Sequence, residues 1–148
     1  MQAEIKQVEK VTDIIKVLNG GISFYEEALE KVDSQSLKTM FGRLILQKRH
    51  AVAMLQPFAI EEQGEVEKDT AITIDIRKLY TKLLGAMSSD TDHTYVEQLE
   101  EVEDKTLEVI RDALEHEQPL AVKQLLLGVL KDAKMSHDEM KTLQELTS

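Results

Sequence analysis

Three titratable side chains lie on the apolar faces of predicted helices, where charged groups are uncommon. At 100° per residue, Lys48 and His137 lie within about 20° of the centre of their apolar faces, and Glu103 lies about 40° from its centre. Isolated charges in a protein core are costly and normally pair with one another. We therefore expect a buried polar cluster of Lys48, Glu103 and His137, completed by Tyr25 or Glu26.

The positions of these residues along the chain place them at similar heights in a helical bundle. Glu103 lies 16 residues before Pro119, and His137 lies 18 residues after it, so the two face each other across one turn. Lys48 lies 14 residues after Ser34, within a turn or two of that level. An acid, an imidazole and an ammonium at one level can satisfy one another.

The same side chains include ligands for iron, manganese or zinc, with Glu103, His137 and Glu26 as the candidates. The di-iron sites of helical bundles take a Glu from each of two helices and a Glu-x-x-His pair from each of the other two. Here Lys48 lies on the inner face of the second helix, and Lys134 lies three residues before His137. We therefore favour a metal-free core without a cofactor, and a mononuclear site of those three candidates is the alternative.

Two further interpretations concern the same residues. His137 can be a core histidine that donates a hydrogen bond to Glu103, because buried polar groups generally find partners. A small-ligand site next to Lys48 would need an apolar pocket of at least ~300 Å³. No serine has a convincing base partner and cysteine is absent, so no catalytic residue is assigned.

The elements that must position these side chains are helices, according to the hydrophobic periodicity. Four long segments and one shorter segment are predicted: Ile5 or Thr12 to Val32, Gln35 to Glu62, Thr70 to Met87 (the shorter one), Asp92 to Glu115, and Pro119 to Leu146. The links within the first pair and the last pair of long helices are short, whereas the link between the pairs is long. This predicts an all-α, ferritin-like antiparallel four-helix bundle, with a short helix in the crossover between the second and third bundle helices.

The 148 residues suit one domain over residues 1–148, with residues 1–11 frayed or extending the first helix. The net charge of -10 argues against nucleic acid and anionic membranes as partners. The chain has neither cysteine nor a visible secretory signal, and it lacks an apolar run of the ~20 residues that span a bilayer. We therefore expect a cytoplasmic protein.

Four stretches carry a resemblance to a known family: "NGGISFYEEALE", "LKTMFGRLILQKRHAVAML", "VEDKTLEVIRDAL" and "QPLAVKQLLLGVLKDAKMSHDEM", together with "IDIRKLYTKLL" in the crossover. Over roughly residues 12 to 146, the chain resembles a bacterial family of uncharacterised proteins, a domain of unknown function, in the ferritin-like superfamily. The positions that match the family's pattern are Asn19 with Gly20, Lys48, Glu103 with Asp104, and His137 with Asp138. The resemblance implies a bundle shaped like the di-iron carboxylate proteins, and it implies no activity.

The sequence therefore predicts a non-catalytic bundle in which a Lys/Glu/His cluster replaces a degenerate di-iron site. The alternative is a metal-binding oxidase, with a mononuclear or a di-metal site, or a metal-storage protein. Apolar residues that lie off the main inner faces, such as Phe24 and Leu46, favour a homodimer. The sequence does not identify a substrate or a partner protein.

Overall fold

The computed structural model describes residues 6–71 and 91–147, and these residues contain no strand. Their four helices are α1 (Val11–Lys31), α2 (Gln35–Gln63), α3 (Thr91–Glu115) and α4 (Leu120–Thr147). The four long helices predicted from the sequence are confirmed, and taking Thr12 as the first start, every end agrees to within one residue. The predicted crossover helix lies outside the described residues, except for residues 70 and 71, which are not helical. None of the four helices has the length and apolarity needed to cross a bilayer.

Local signals in the sequence set both ends of α2. Ser34 precedes the helix, and its hydroxyl accepts a hydrogen bond from the amide of Leu37 at 3.3 Å. At the other end, Gly64 has φ 90°, and its amide donates to the carbonyl of Ile60 at 2.8 Å. Glycine adopts this left-handed conformation without the steric penalty of a Cβ, so it ends the helix here.

The start of α1 is capped by a side chain from α2. Lys10 has φ 65° and makes no side-chain cap. The Glu62 carboxylate instead accepts from the amides of Val11 at 2.8 Å and Thr12 at 3.1 Å, and also from the Thr12 hydroxyl at 2.8 Å. A negative charge is favourable at a helix N-terminus, and this contact joins the end of α2 to the start of α1.

Two further contacts show in which direction each helix runs along the bundle. The Asp92 carboxylate accepts from the amides of Asp33 at 2.9 Å and Ser34 at 3.1 Å, so α3 begins beside the α1–α2 turn. The Gln118 side chain pairs with the backbone of Glu9, so α3 ends beside the start of α1. The helices therefore run up, down, down and up in chain order. α1 packs against α2 and α3, α3 packs against α4, and α2 contacts α4 lightly.

The core consists of two apolar clusters stacked along the bundle. The cluster near the start of α1 includes Ile14, Leu55, Ile110 and Leu126, and the cluster near its end includes Phe24, Phe41, Leu99 and Met140. Lys48, Glu103 and Ser136 are buried between the two clusters on their respective helices, and we call these three residues the polar layer. The layer lies near the middle of the bundle.

The glycine pair of α1 allows the segment after α2 to approach closely. The Ala71 amide donates to the Lys16 carbonyl at 3.0 Å, and a Cβ on Gly20 would lie 3.1 Å from the Ala71 carbonyl oxygen. A Cβ on Gly21 would instead make ordinary contacts with Val102 and with the stem of Lys48, at 3.6–3.7 Å. The requirement for a small residue is therefore strict only at Gly20.

Candidate functional site

A buried ion pair lies where α1, α2 and α3 meet. The Lys48 ammonium is 2.7 Å from Glu103 Oε1, and the Tyr25 hydroxyl donates to the same oxygen at 2.7 Å. The Lys48 side chain is 5% exposed and the Glu103 side chain is 0% exposed. We call Tyr25, Lys48 and Glu103 the buried cluster. The Lys48 ammonium and the Glu103 carboxylate, on the inner faces of α2 and α3, therefore form an ion pair, as expected because an isolated buried charge is costly.

The environment of Tyr25 keeps its phenol protonated. Burial, followed by the negative charge of Glu103 and the hydrogen bond to it, raises the Tyr25 pKa well above its usual value of 10.0. The Lys48 ammonium lies 5.4 Å from the centroid of the Tyr25 ring, and the Phe41 ring packs against that ring edge-on at 5.6 Å. Tyr25 therefore acts as a neutral donor to Glu103 and as an aromatic wall beside Lys48.

One oxygen of the buried carboxylate is unsatisfied. Glu103 Oε2 is buried and has no hydrogen-bond partner among the described residues. A cavity of about 20 Å³ beside Lys48, lined in part by Gln47 and Ser136, is large enough for about one water molecule. This volume is far below the ~300 Å³ that a small ligand needs, so this cavity is too small to be the ligand site considered in the sequence analysis.

His137 does not belong to the buried cluster, in contrast to the sequence prediction. Its Nε2 lies 2.7 Å from Asp104 Oδ1 and 3.9 Å from Glu100 Oε1, and its side chain is 19% exposed. Ser136 occupies the inward position instead, and its hydroxyl donates to the Asp132 carbonyl. Because Ser136 is the smaller side chain and can satisfy its hydroxyl within its own helix, α4 turns Ser136 inward and leaves His137 on the flank.

Glu26 also lies outside the buried cluster. Its carboxylate is exposed and lies 2.7 Å from the Arg49 guanidinium, with side-chain exposures of 48% and 56%. The three predicted metal ligands thus belong to three separate side-chain contacts: Glu26 with Arg49, Glu103 with Lys48, and His137 with Asp104. The structure does not bring the three predicted ligands together.

Sequence reasoning missed a second group, on the flank of the α3–α4 pair. Glu100, Asp104 and His137 each offer one oxygen or nitrogen, and these atoms all lie within 4.8 Å of one another. We call these three residues the peripheral triad. The available signal was the spacing of Glu100 and Asp104, four residues apart and therefore on one face of α3.

Comparison with known proteins assigns the chain to a family. Residues 6–116 match the model of a family described as Domain of unknown function (DUF2383). The chain belongs to this family. No curated protein and no solved structure matches the chain.

The family match covers the two sites unequally. All three residues of the buried cluster lie within residues 6–116, as do Glu100 and Asp104 of the peripheral triad. The match ends before α4, so His137 lies outside it. The DUF2383 match therefore includes the whole buried cluster and only the α3 half of the triad.

Proposed function

We propose that this DUF2383 protein is a non-catalytic, ferritin-like bundle in which an ion pair occupies the place of a di-iron centre. The helix order supports the ferritin-like part of the proposal. Two antiparallel pairs, each joined by a short turn, are connected by one long link over residues 64–90. A single long crossover of this kind is the connection that ferritin-like bundles use.

The observation that carries the non-catalytic role is the position of the Lys48 ammonium. It lies 2.7 Å from Glu103, the buried acid of the polar layer, and both side chains are almost completely buried. A divalent ion bound to Glu103 would have to displace or tolerate this cation at contact distance, in a medium that screens charge poorly. At the same level α4 offers Ser136, which is a weak metal ligand compared with histidine. This arrangement supports an interior without a cofactor.

Iron binding tests this part of the proposal. Wild type and Glu103→Gln should be incubated with Fe²⁺, passed through a desalting column and analysed for iron, and aerobic Fe²⁺ oxidation should be followed in parallel. We expect the two proteins to retain the same amount of iron and to oxidise Fe²⁺ no faster than buffer. Iron that is retained by wild type and lost in Glu103→Gln, or oxidation that depends on Glu103, would show that the interior is a metal centre.

The second part of the proposal is that the protein acts as a homodimer through α2. Phe24, one of the two residues that suggested an interface, is 3% exposed and packs in the core, whereas Leu46 on α2 is 67% exposed. Met54 and Ile60, on the same helix, are each 48% exposed. α2 has four basic and two acidic side chains, whereas α3 has two basic and nine acidic ones. Two copies that meet through α2 would bury apolar surface and keep the acidic helices apart.

Light scattering coupled to gel filtration tests the dimer. We expect the mass of two chains for wild type and of one chain for the double variant Leu46→Lys/Met54→Lys. The matched control is Leu120→Lys, because Leu120 on α4 is 70% exposed and lies outside the proposed interface. A single-chain mass for wild type at high concentration, or dissociation by Leu120→Lys alone, would contradict the proposal.

A further inference from the structure

The peripheral triad joins two helices through ligand-type side chains. Glu100 and Asp104 project from one face of α3, and His137 projects from α4 toward them. Its Nε2 lies 2.7 Å from Asp104 Oδ1 and 3.9 Å from Glu100 Oε1. Because the site is built on two regular helices joined by a short turn, its donors are held close together before any ligand arrives.

Among the described residues, no lysine or arginine pairs with the carboxylates of the triad. In the part of the chain that the structure describes, neither Glu100 nor Asp104 has a lysine or arginine nitrogen within 4.0 Å of its carboxylate. Two carboxylates therefore face a single imidazole. The Glu100 side chain is only 18% exposed, so its charge is partly removed from water. The seven other acidic side chains of α3 add to the negative potential at this point.

The second ring nitrogen of His137 also has an acidic neighbour. His137 Nδ1 lies 3.4 Å from Asp138 Oδ1. In metal sites, a carboxylate at this position holds the ring orientation and leaves the other nitrogen free to bind the metal. The local arrangement thus contains a potential ligand nitrogen at Nε2, two ligand carboxylates and an orienting carboxylate.

We propose that Glu100, Asp104 and His137 bind one divalent transition-metal ion, such as Zn²⁺ or Mn²⁺, on the flank of the α3–α4 pair. Mixed imidazole and carboxylate donors suit these ions better than Mg²⁺ or Cu⁺. Ligands at ~2.1 Å from such an ion lie roughly 3.0–3.4 Å from each other, and the two distances from Nε2 fall on either side of this range. The ion would lie between His137 Nε2 and Asp104 Oδ1, in place of their direct contact.

This site is independent of the buried cluster and goes beyond the proposed function. Glu103 pairs with Lys48 and Tyr25 in the interior, whereas the triad uses the outer flank of α3. A metal ion bound at the triad would cross-link α3 to α4 without contacting the buried cluster. The two proposals can therefore be refuted independently. The proposed function predicts that no metal binding depends on Glu103, whereas the triad proposal predicts metal binding that depends on His137.

Calorimetric titration with Zn²⁺, in a buffer that does not bind metals, tests the triad. We expect one Zn²⁺ per chain for wild type and an affinity at least about tenfold lower for His137→Gln and Asp104→Asn. The matched control is His116→Gln, since His116 pairs with Glu9 at 3.3 Å in another exposed histidine–carboxylate contact. The control should bind Zn²⁺ as wild type does. All of these positions are at least partly exposed, so circular dichroism should give the same helix content for every variant.

A measurement on the unmodified protein completes the test. Substoichiometric Mn²⁺ should broaden the imidazole proton signals of His137 before those of His50, His93 and His116. Equal broadening of all four histidines, no binding of either ion, or equal loss of Zn²⁺ affinity in His137→Gln and His116→Gln would each overturn the proposal. Binding that disappears in Glu103→Gln and persists in His137→Gln would also overturn it, because the metal would then lie in the interior.

Discussion

Replacing Lys48 with methionine removes the buried ammonium and keeps a side chain of similar length. Among the described residues, the Glu103 carboxylate, which is 0% exposed, would then retain only the Tyr25 hydroxyl as a donor, and its Oε2 would still have none. Removing one partner of a buried ion pair typically costs about 3–5 kcal/mol. We expect a loss of this size in the free energy of unfolding, measured by urea denaturation at neutral pH. It would be a large part of the total for a domain that is stable by about 5–15 kcal/mol.

The chain contains a matched control for this substitution. Arg49 and Glu26 also join α2 to α1 through a nitrogen–oxygen distance of 2.7 Å, but both side chains are about half exposed. Exposed ion pairs contribute about 0–1 kcal/mol, because water screens the charges. Arg49→Met should therefore change the free energy of unfolding by no more than about 1 kcal/mol. The difference between the two variants isolates the effect of burial at constant distance.

A double-mutant cycle separates the ion pair from the packing around it. Glu103→Leu alone leaves the Lys48 ammonium and the Tyr25 hydroxyl without their acceptor, so it should be as costly as Lys48→Met. The double variant removes both charges and leaves only the Tyr25 hydroxyl without its acceptor. A buried hydroxyl without a partner lowers the free energy of unfolding by about 1–3 kcal/mol. The double variant should therefore be more stable than either single variant. Single effects below about 1 kcal/mol that simply add would mean that water reaches these groups, and the reasoning from burial would be refuted.

Three further outcomes can be measured by the same unfolding experiments. Glu62→Ala removes the cap of α1 and should cost about 0.5–2 kcal/mol, whereas the exposed Glu61→Ala should change little. Above about pH 10 the unfolded chain releases the Tyr25 proton, whereas the folded chain retains it because burial raises the Tyr25 pKa. The free energy of unfolding should therefore fall as pH rises, and Tyr25→Phe should weaken that fall. Gly128→Ala, with open space at its Cβ, should raise the melting temperature through a gain of about 0.5–1 kcal/mol, whereas Gly64→Ala should lower it because φ is 90° there.

The sequence was sufficient for the four long helices, and it led us to expect Lys48 and Glu103 in one cluster, where the structure has them 2.7 Å apart. Apolar residues at helical spacing over more than 20 residues leave little freedom in the type or extent of an element. Two opposite charges near the centres of two inner faces, at similar heights, have few partners other than each other. The same reasoning left Tyr25 and Glu26 as alternatives for the third member of the cluster, and in the structure the Tyr25 hydroxyl donates to Glu103.

The orientation of His137 was beyond the reach of periodicity. Ala133 and Met140 are both buried, and they lie seven residues apart. Either Ser136 or His137 completes the inner stripe between them, since spacings of three then four and of four then three both follow a helical period. A small rotation of α4 about its own axis decides whether Ser136 or His137 faces inward. That rotation depends on packing against α3 and α2, which the sequence of α4 alone does not encode.

Contacts between distant side chains and backbone were also not predictable. The acidic run over residues 61–69, at the end of α2 and just after it, is of a composition typical of a solvated surface. Glu62 nevertheless caps a helix that begins 51 residues earlier, and Glu67 is 6% exposed. Glu67 is held by its backbone contacts with Gln56 and by the Lys16 ammonium at 3.6 Å. Nothing in the composition of this run identifies the distant amides that its carboxylates and carbonyls meet.

The buried cluster has a consequence for the alignment of the helices. Apolar side chains above and below the polar layer can exchange one neighbour for another at small cost, whereas the contacts of Glu103 with Lys48 and Tyr25 are specific in position. Sliding α2 by one turn would move Lys48 by about 5.4 Å and leave both charges unpaired in the core. The cluster therefore opposes register shifts among α1, α2 and α3, and the short α3–α4 turn together with the His137–Asp104 pair fixes α4 to α3. An ion pair that adds little net stability over apolar packing can in this way still determine which of several packings the chain adopts.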